Sequence, residues 1–296
     1  VQQLGGPQLP AVGFGLGIER ILLHAGGNTI ALTQDAAASA TGGLAVIGGA
    51  GNDVVLAPSL STGVGFSPGG GQDRFQGGAG DDQVNIAIAD LTGADQFDGG
   101  AGRNRIGFTT AGTITAAMLA GLSGFETLSL SSDGPNTVVL GTNLPTVNVA
   151  GGSAADTVTL ALASQYVSLG AGDDTLIVTS NAVPALSAYG KDGTDTIRTV
   201  GGGTFAIGAG IVEFERAVMQ DAARLDLSAT VMSLQVAGSS GDDTVVLGQV
   251  SQAVDGGGGN DTLALVAPEI SLNSLVSGFI VSFEQGKVLF GTSGSH

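Results

Sequence analysis

The sequence predicts an all-β protein: a parallel β-solenoid, or β-roll, with Gly/Asp-rich turns, short strands and minor helical segments. Three observations carry that expectation. A nine-residue string, GGAGNDVVL at 48–56, returns along the chain in recognisable copies. Between the copies lie short runs of β-branched and apolar residues bounded by Gly, Asn and Asp, the mark of short strands. Residues 151–178 also align without gaps onto 238–265 at an offset of 87, and self-similarity at that scale means stacked units sharing a core.

The clearest further copies are GGAGDDQVN from Gly77, LGAGDDTLI from Leu169, GSSGDDTVV from Gly238 and GGGGNDTLA from Gly256. Weaker ones begin at Pro68, Asp90, Gly99, Gly151 and Gly190. Each carries a turn of small residues, an Asp or Asn at the sixth position and an apolar residue at the eighth. The phase is kept: Asp73 and Asp82 lie nine residues apart, as do Asp95 and Asn104. Asp156 and Asp174 are eighteen apart with Gln165 between them, and Asp243 and Asp261 are eighteen apart with Gln252 between them.

The spacing has a chemical reading. Glycine bends tightly and can aim carbonyl oxygens inward. The following Asp adds a charged oxygen, and Ca²⁺ takes six to eight oxygen ligands at roughly 2.3–2.6 Å. Ordinary Gly/Asp β-turns without metal are the plain alternative. The strings match the calcium-binding nonapeptide of parallel β-helices, and the chain resembles the repeats-in-toxin family. In that family one turn supplies part of the ion's shell and the next turn on the same side supplies the rest. The resemblance implies Ca²⁺ as the cofactor. The expected metal residues are Asp53, Asp73, Asp82, Asp95, Asp156, Asp174, Asp195, Asp243 and Asp261. The turn glycines Gly49, Gly51, Gly78, Gly80, Gly170, Gly172, Gly257 and Gly259 join them.

Taken along the chain, residues 1–27 stand apart as an N-terminal segment. Residues 5–25 read GGPQLPAVGFGLGIERILLHA, with a short helix expected over 18–23. This stretch resembles motif 3 of class II aminoacyl-tRNA synthetases, most closely the histidyl enzymes, and Arg20 matches the arginine that contacts ATP phosphates there. It covers under a tenth of the chain, and the enzyme's other two motifs have no counterpart. A cap or fusion remnant is the expected role. Residues 28–112 form the calcium-binding region, 113–200 a first module and 201–291 a second. Residues 292–296 are a tail.

Strands are expected at 127–130, 136–140, 146–149, 157–162, 175–178, 233–236 and 244–247, and short helical turns at 116–122 and 273–277. Glu126, Glu215 and Glu284 follow a Phe near module starts and are expected to be structural. The run VSGFIVSFEQGKVLFG at 276–291 is a candidate open edge.

Charge and composition exclude several functions. There are 26 acidic against 9 basic residues, a net charge of −17. Nucleic acid needs a basic stripe to neutralise phosphates, and none is present. Anionic membranes are excluded on the same ground, and no apolar run is long enough to span a bilayer. The chain has no Cys and no Trp, and its two histidines are His24 and His296. Thiol chemistry, a Ser-His-Asp triad and a histidine zinc site therefore find no residues. Adjacent pairs such as Asp81-Asp82 suit a metal ligand plus a solvated neighbour better than a glycosidase cleft.

Dispersed calcium turns with Gly-Phe-Glu modules resemble, over about residues 43–291, bacterial surface-layer proteins exported by type I secretion. That resemblance implies a non-enzymatic, secreted cell-surface protein. It would self-associate into oligomers or a lattice, with cell-surface polysaccharide as a further partner. An adhesin, or the repeat region of a larger secreted hydrolase or toxin, shares nearly all these features. Val1 and the absent signal peptide fit a fragment or processed product.

Overall fold

The computed structural model describes residues 2–4, 20–33, 43–181, 183, 187–248, 252–266 and 287–290. All regular structure among them is β, in parallel strands stacked as a solenoid, and none of it is helical. The chain forms two compact units, Val1–Gly152 and Ser153–His296.

In the first unit one sheet stacks Gln2–Leu4, Arg20–Leu23, Leu44–Ile47, Val64–Ser67, Gln83–Ile86, Arg105–Phe108, Thr127–Ser129 and Asn148–Ala150 in that order. A second stacks Thr29–Ala31, Val54–Leu56, Arg74–Gln76, Gln96–Asp98 and Leu122–Ser123. Thr113–Ile114 pairs with Thr137–Val139 on a third face. In the second unit Tyr166–Ala171, Ala188–Asp192 and Ile211–Val212 form one row. Another holds Thr157–Thr159, Thr175–Val178, Thr196–Thr199, Arg216–Met219, Gln235–Ala237 and Ala253–Asp255. A third holds Thr204–Ala206, Arg224–Leu227, Thr244–Leu247, Thr262–Leu265 and Lys287–Phe290.

The strands are short because the turns recur so often, and each sends its central side chain inward. Val55, Phe75 and Phe97 are stacked in register and fully buried. So are Val46, Phe66, Val84, Ile106, Leu128 and Val149 on the facing sheet. Phe66 stacks on Phe75 at 5.7 Å between ring centres and meets Phe97 edge-on at 6.3 Å. Burying one such side chain is worth about 1.5–3 kcal/mol, so the file of central residues holds each coil on the next.

Two helical expectations are corrected. Residues 20–23 form a strand, pairing in parallel with Leu44–Ile47 and burying Ile21 and Leu23 on alternate positions. A helix there would leave the N–H and C=O groups of Leu44–Ile47 unpaired on that side, which outweighs local propensity. Residues 116–121 make a turn, with Met118 and Leu119 N–H groups donating to the Thr115 carbonyl, and the chain re-enters a strand at Leu122. The expected turn at 273–277 and most of the candidate edge at 276–291 lie outside the described residues. Within that edge Lys287–Phe290 is a strand paired with Thr262–Leu265.

Candidate metal-binding turns

All nine sequence-predicted aspartates are buried, none more than 2% exposed. Each stands immediately before the first residue of a strand, at the end of its Gly-rich turn. Nine-residue neighbours face different sheets: Asp73 leads into Arg74–Gln76 and Asp82 into Gln83–Ile86. One full coil, 18 to 22 residues, separates aspartates that stack. The structure thereby brings together Asp53, Asp73 and Asp95 in one row and Asp156, Asp174 and Asp195 in another. Asp243 and Asp261 form a third row, and Asp82 stacks with Asn104.

The rows are hydrogen-bonded ladders. Each sixth-position Oδ1 accepts the backbone N–H of the stacked residue one coil earlier: Asp73 from Asp53 at 2.7 Å, Asp95 from Asp73 at 2.8 Å, Asp174 from Asp156 at 2.6 Å, Asp195 from Asp174 at 2.9 Å and Asp261 from Asp243 at 2.9 Å. The second oxygens divide into two kinds. Oδ2 of Asp53, Asp82 and Asp243 accepts an N–H from four residues upstream, and Asp95 takes that of Thr92. Oδ2 of Asp73, Asp174, Asp195 and Asp261 is buried with no hydrogen-bond partner.

Those unpartnered oxygens are costly, since a buried ionised carboxylate must be paired, fully hydrogen-bonded or neutralised. Burial pushes the Asp73 carboxyl up to about 7; the N–H of Asp53 pulls it down, and the charges of Asp53, Asp95 and Asp90 push it further up. Burial likewise raises Asp174 to about 6, against the N–H of Asp156 and with the charges of Asp195, Asp156 and Asp173. Asp82 and Asp195 are also raised, chiefly by burial, with Asp81 and Glu215 respectively adding repulsion.

Asn104 shows what those positions lack. Its Oδ1 accepts the N–H of Asp82 at 2.8 Å, as an aspartate would, while its Nδ2 donates to the Gly124 carbonyl at 2.8 Å. At Asp195 the second oxygen is instead a carboxylate oxygen, lying on the same side of Gly190 as the Glu213 carbonyl. At Gly190 an added Cβ would collide with Asp195 Oδ2, at 2.5 Å, and with the Glu213 carbonyl. Acceptor facing acceptor calls for a cation or a proton between them.

The donor set is oxygen alone, which suits a hard cation such as Ca²⁺. Among the described residues no three His, Cys, Asp or Glu side chains lie close enough to hold a metal by themselves. Turn carbonyls must therefore complete any shell. Those of Gly49 and Gly78 already accept one N–H each, from Gly70 and Ala101 in the next coil, and a carbonyl oxygen has a second lone pair to give. The expected glycines fall into two kinds. Gly49, Gly51, Gly78 and Gly80 are pressed against backbone of a neighbouring turn. Gly170, Gly172, Gly257 and Gly259 have positive φ, +80° at Gly257, where a Cβ is strained. Lys191, which stands where Gly257 stands in its own copy, keeps φ at 83° and pairs with Glu213 at 3.3 Å.

Several ladder members were not singled out as such by the sequence. Glu126 Oε2 accepts the N–H of Asn104 and Glu215 Oε2 that of Asp195, so both glutamates are sixth-position rungs with a longer reach. Asn28 donates Nδ2 to Asp53 Oδ1 at 2.7 Å, and Asn136 Oδ1 accepts from Gly112 N–H. The fifth-position residues make a second ladder running the other way. Asn52, Asp81, Asp173 and Asp242 each accept, through Oδ1 at 2.8–2.9 Å, the N–H of the fifth residue one coil later. The neighbour in each Asp pair is solvated, as expected, but it also clamps the next coil. The signal in the sequence was the doubled Asp itself.

Of the synthetase-like stretch, residues 5–19 lie outside the described residues, and Arg20 opens a strand with its side chain exposed. Compared with protein-family models, curated proteins and solved structures, the chain matches none.

Proposed function

We propose that this chain is a calcium-dependent structural protein of a bacterial surface, with no catalytic role of its own. In this reading Ca²⁺ enters the Gly/Asp turns, locks coil to coil, and the stiffened solenoids assemble into a lattice or matrix. The observation that carries the reading is the set of buried, unpartnered Oδ2 atoms at Asp73, Asp174, Asp195 and Asp261. Their turns already hold carbonyl oxygens, and the net charge of −17 supplies the long-range pull for a cation. Ca²⁺ binding only the folded turns stabilises them by linkage, about 4 kcal/mol at a thousandfold excess over Kd.

Two measurements test it. Calorimetric titration of the EGTA-treated protein with Ca²⁺ should show binding, together with a gain of β-type circular dichroism. Electron microscopy and light scattering should then show Ca²⁺-dependent oligomers or sheets, weakened by removing residues 277–296. Identical spectra and melting curves in EGTA and in Ca²⁺ would falsify the calcium reading. Protein that binds Ca²⁺ yet stays monomeric and captures a surface polysaccharide would be an adhesin instead. Hydrolysis of a substrate by a longer form of the chain would make this the repeat region of an enzyme.

A further inference from the structure

The aspartate rungs are not spread evenly, and their gaps have a consequence for how calcium acts. From 99 to 152 the residues that precede the strands are Asn104, Gly112, Gly121, Glu126, Asn136 and Val147, with no Asp among them. Asn104 and Asn136 satisfy themselves: each offers Oδ1 to an N–H and Nδ2 to a carbonyl, Gly124 for one and Ser131 for the other. Val147 is fully buried and asks for no partner. Glu126 is exposed, so its charge stays in water while Oε2 reaches the Asn104 N–H. No buried side-chain oxygen in this block lacks a partner; Ile106, Leu128 and Val149 stack in one sheet and Ile114 with Val138 in another, all fully buried.

The second unit repeats the arrangement. From 200 to 241 the pre-strand residues include Gly203, Glu215, Ala223 and Leu234, again without Asp. Phe205 and Leu225 are in register and fully buried there. Here too no buried side-chain oxygen is left unpartnered. By contrast, all four unpartnered carboxylate oxygens fall in the flanking stretches, one in 48–98, two in 153–198 and one in 242–266.

We infer that each unit contains a block of coils, 99–152 in the first and 200–241 in the second, that holds its fold without calcium and serves as the template on which the aspartate coils stack when the ion arrives. The inference rests on the calcium reading above. Withdrawal of Ca²⁺ then opens the aspartate coils and leaves the two blocks standing, so the protein responds to the ion in stages. The physical cause is local. An apolar rung, or an amide bonded at both ends as Asn104 and Asn136 are, is complete when dry, whereas a carboxylate whose second oxygen receives no N–H is complete only with a cation or proton on it.

Hydrogen exchange on the full chain, with Ca²⁺ and with EGTA, tests this directly. In EGTA the amides of Thr127, Thr137, Asn148 and Arg224, which donate to the carbonyls of Asn104, Gly112, Glu126 and Gly203 inside the blocks, should keep their protection within about threefold. Those of Val54–Leu56, Arg74–Gln76, Thr175–Val178, Thr196–Thr199 and Thr262–Leu265 should exchange at least a hundredfold faster. Uniform loss of protection along the chain overturns the two-block inference while leaving calcium binding intact. No change anywhere overturns the calcium reading itself. Asp73→Asn with Asp174→Asn adds an independent check, because it should restore protection around Arg74–Gln76 and Thr175–Val178 in EGTA. Failure to restore it would show that the carboxylate is not what makes these coils ion-dependent.

Discussion

Replacing Asp174 by Asn and by Ala separates the two jobs of a ladder rung. Asp174 Oδ1 accepts the Asp156 N–H at 2.6 Å, and Oδ2 has no partner. Asparagine keeps the first contact and turns the second oxygen into a donor, as Asn104 does toward Gly124. Moving the carboxyl from 3.8 to about 6 corresponds, at 1.36 kcal/mol per pKa unit, to about 3 kcal/mol against the ionised form at pH 7. Relaxation and water entry reduce that to ~1–2 kcal/mol. Asp174→Asn should therefore stabilise the calcium-free protein by that amount, about 2–6 °C in Tm. Asp174→Ala leaves the Asp156 N–H buried without an acceptor and costs about 1–3 kcal/mol. The expected order of melting temperature in EGTA is Asn above wild type above Ala. In saturating Ca²⁺ it becomes wild type above Asn above Ala, because both variants lose the ligand oxygen. Circular dichroism melts in the two buffers read both orders. An Asn variant no more stable than wild type in EGTA would refute the argument that Oδ2 is unsatisfied.

Other outcomes follow from the same geometry. Asp73, Asp82, Asp174 and Asp195 are raised in the folded state, so they favour folding most at low pH and lose that contribution as pH rises through the folded values, about 6 for Asp174 and about 7 for Asp73. Calcium-free protein should accordingly melt lower at pH 8 than at pH 5, and the stabilisation by Ca²⁺ should grow over the same interval in calorimetric scans. Gly77→Ala should cost more than ~2 kcal/mol in urea titration and abolish one Ca²⁺ site, since the new methyl displaces both Asp82 Oδ2 and the Gly99 carbonyl. Lys191→Gly should be within ~1 kcal/mol of neutral in the same assay, relief of a left-handed backbone offsetting loss of an exposed ion pair.

The local chemistry of this protein was legible in its residues. Glycine spacing placed the turns, the sixth-position residues proved to be the buried ones, and the strands at 175–178 and 244–247 start and stop where the β-branched runs do. A turn and the strand it launches are decided within about nine residues, by backbone freedom and the alternation of apolar side chains. Which rung lies on which depends on the length of the intervening coil, and that varies from 18 to 25 residues with loops of no regular pattern. Stacking is settled by the non-local demand that every strand N–H and C=O find a partner on the next coil. That demand makes Arg20–Leu23 a strand, since Leu44–Ile47 needs a neighbour. It also recruits Glu126, Glu215 and Asn28 as rungs, although none carries the nonapeptide signature. The sequence by itself determined what each turn would bury; only the tertiary structure decided which buried oxygens would find a hydrogen and which would be left for an ion.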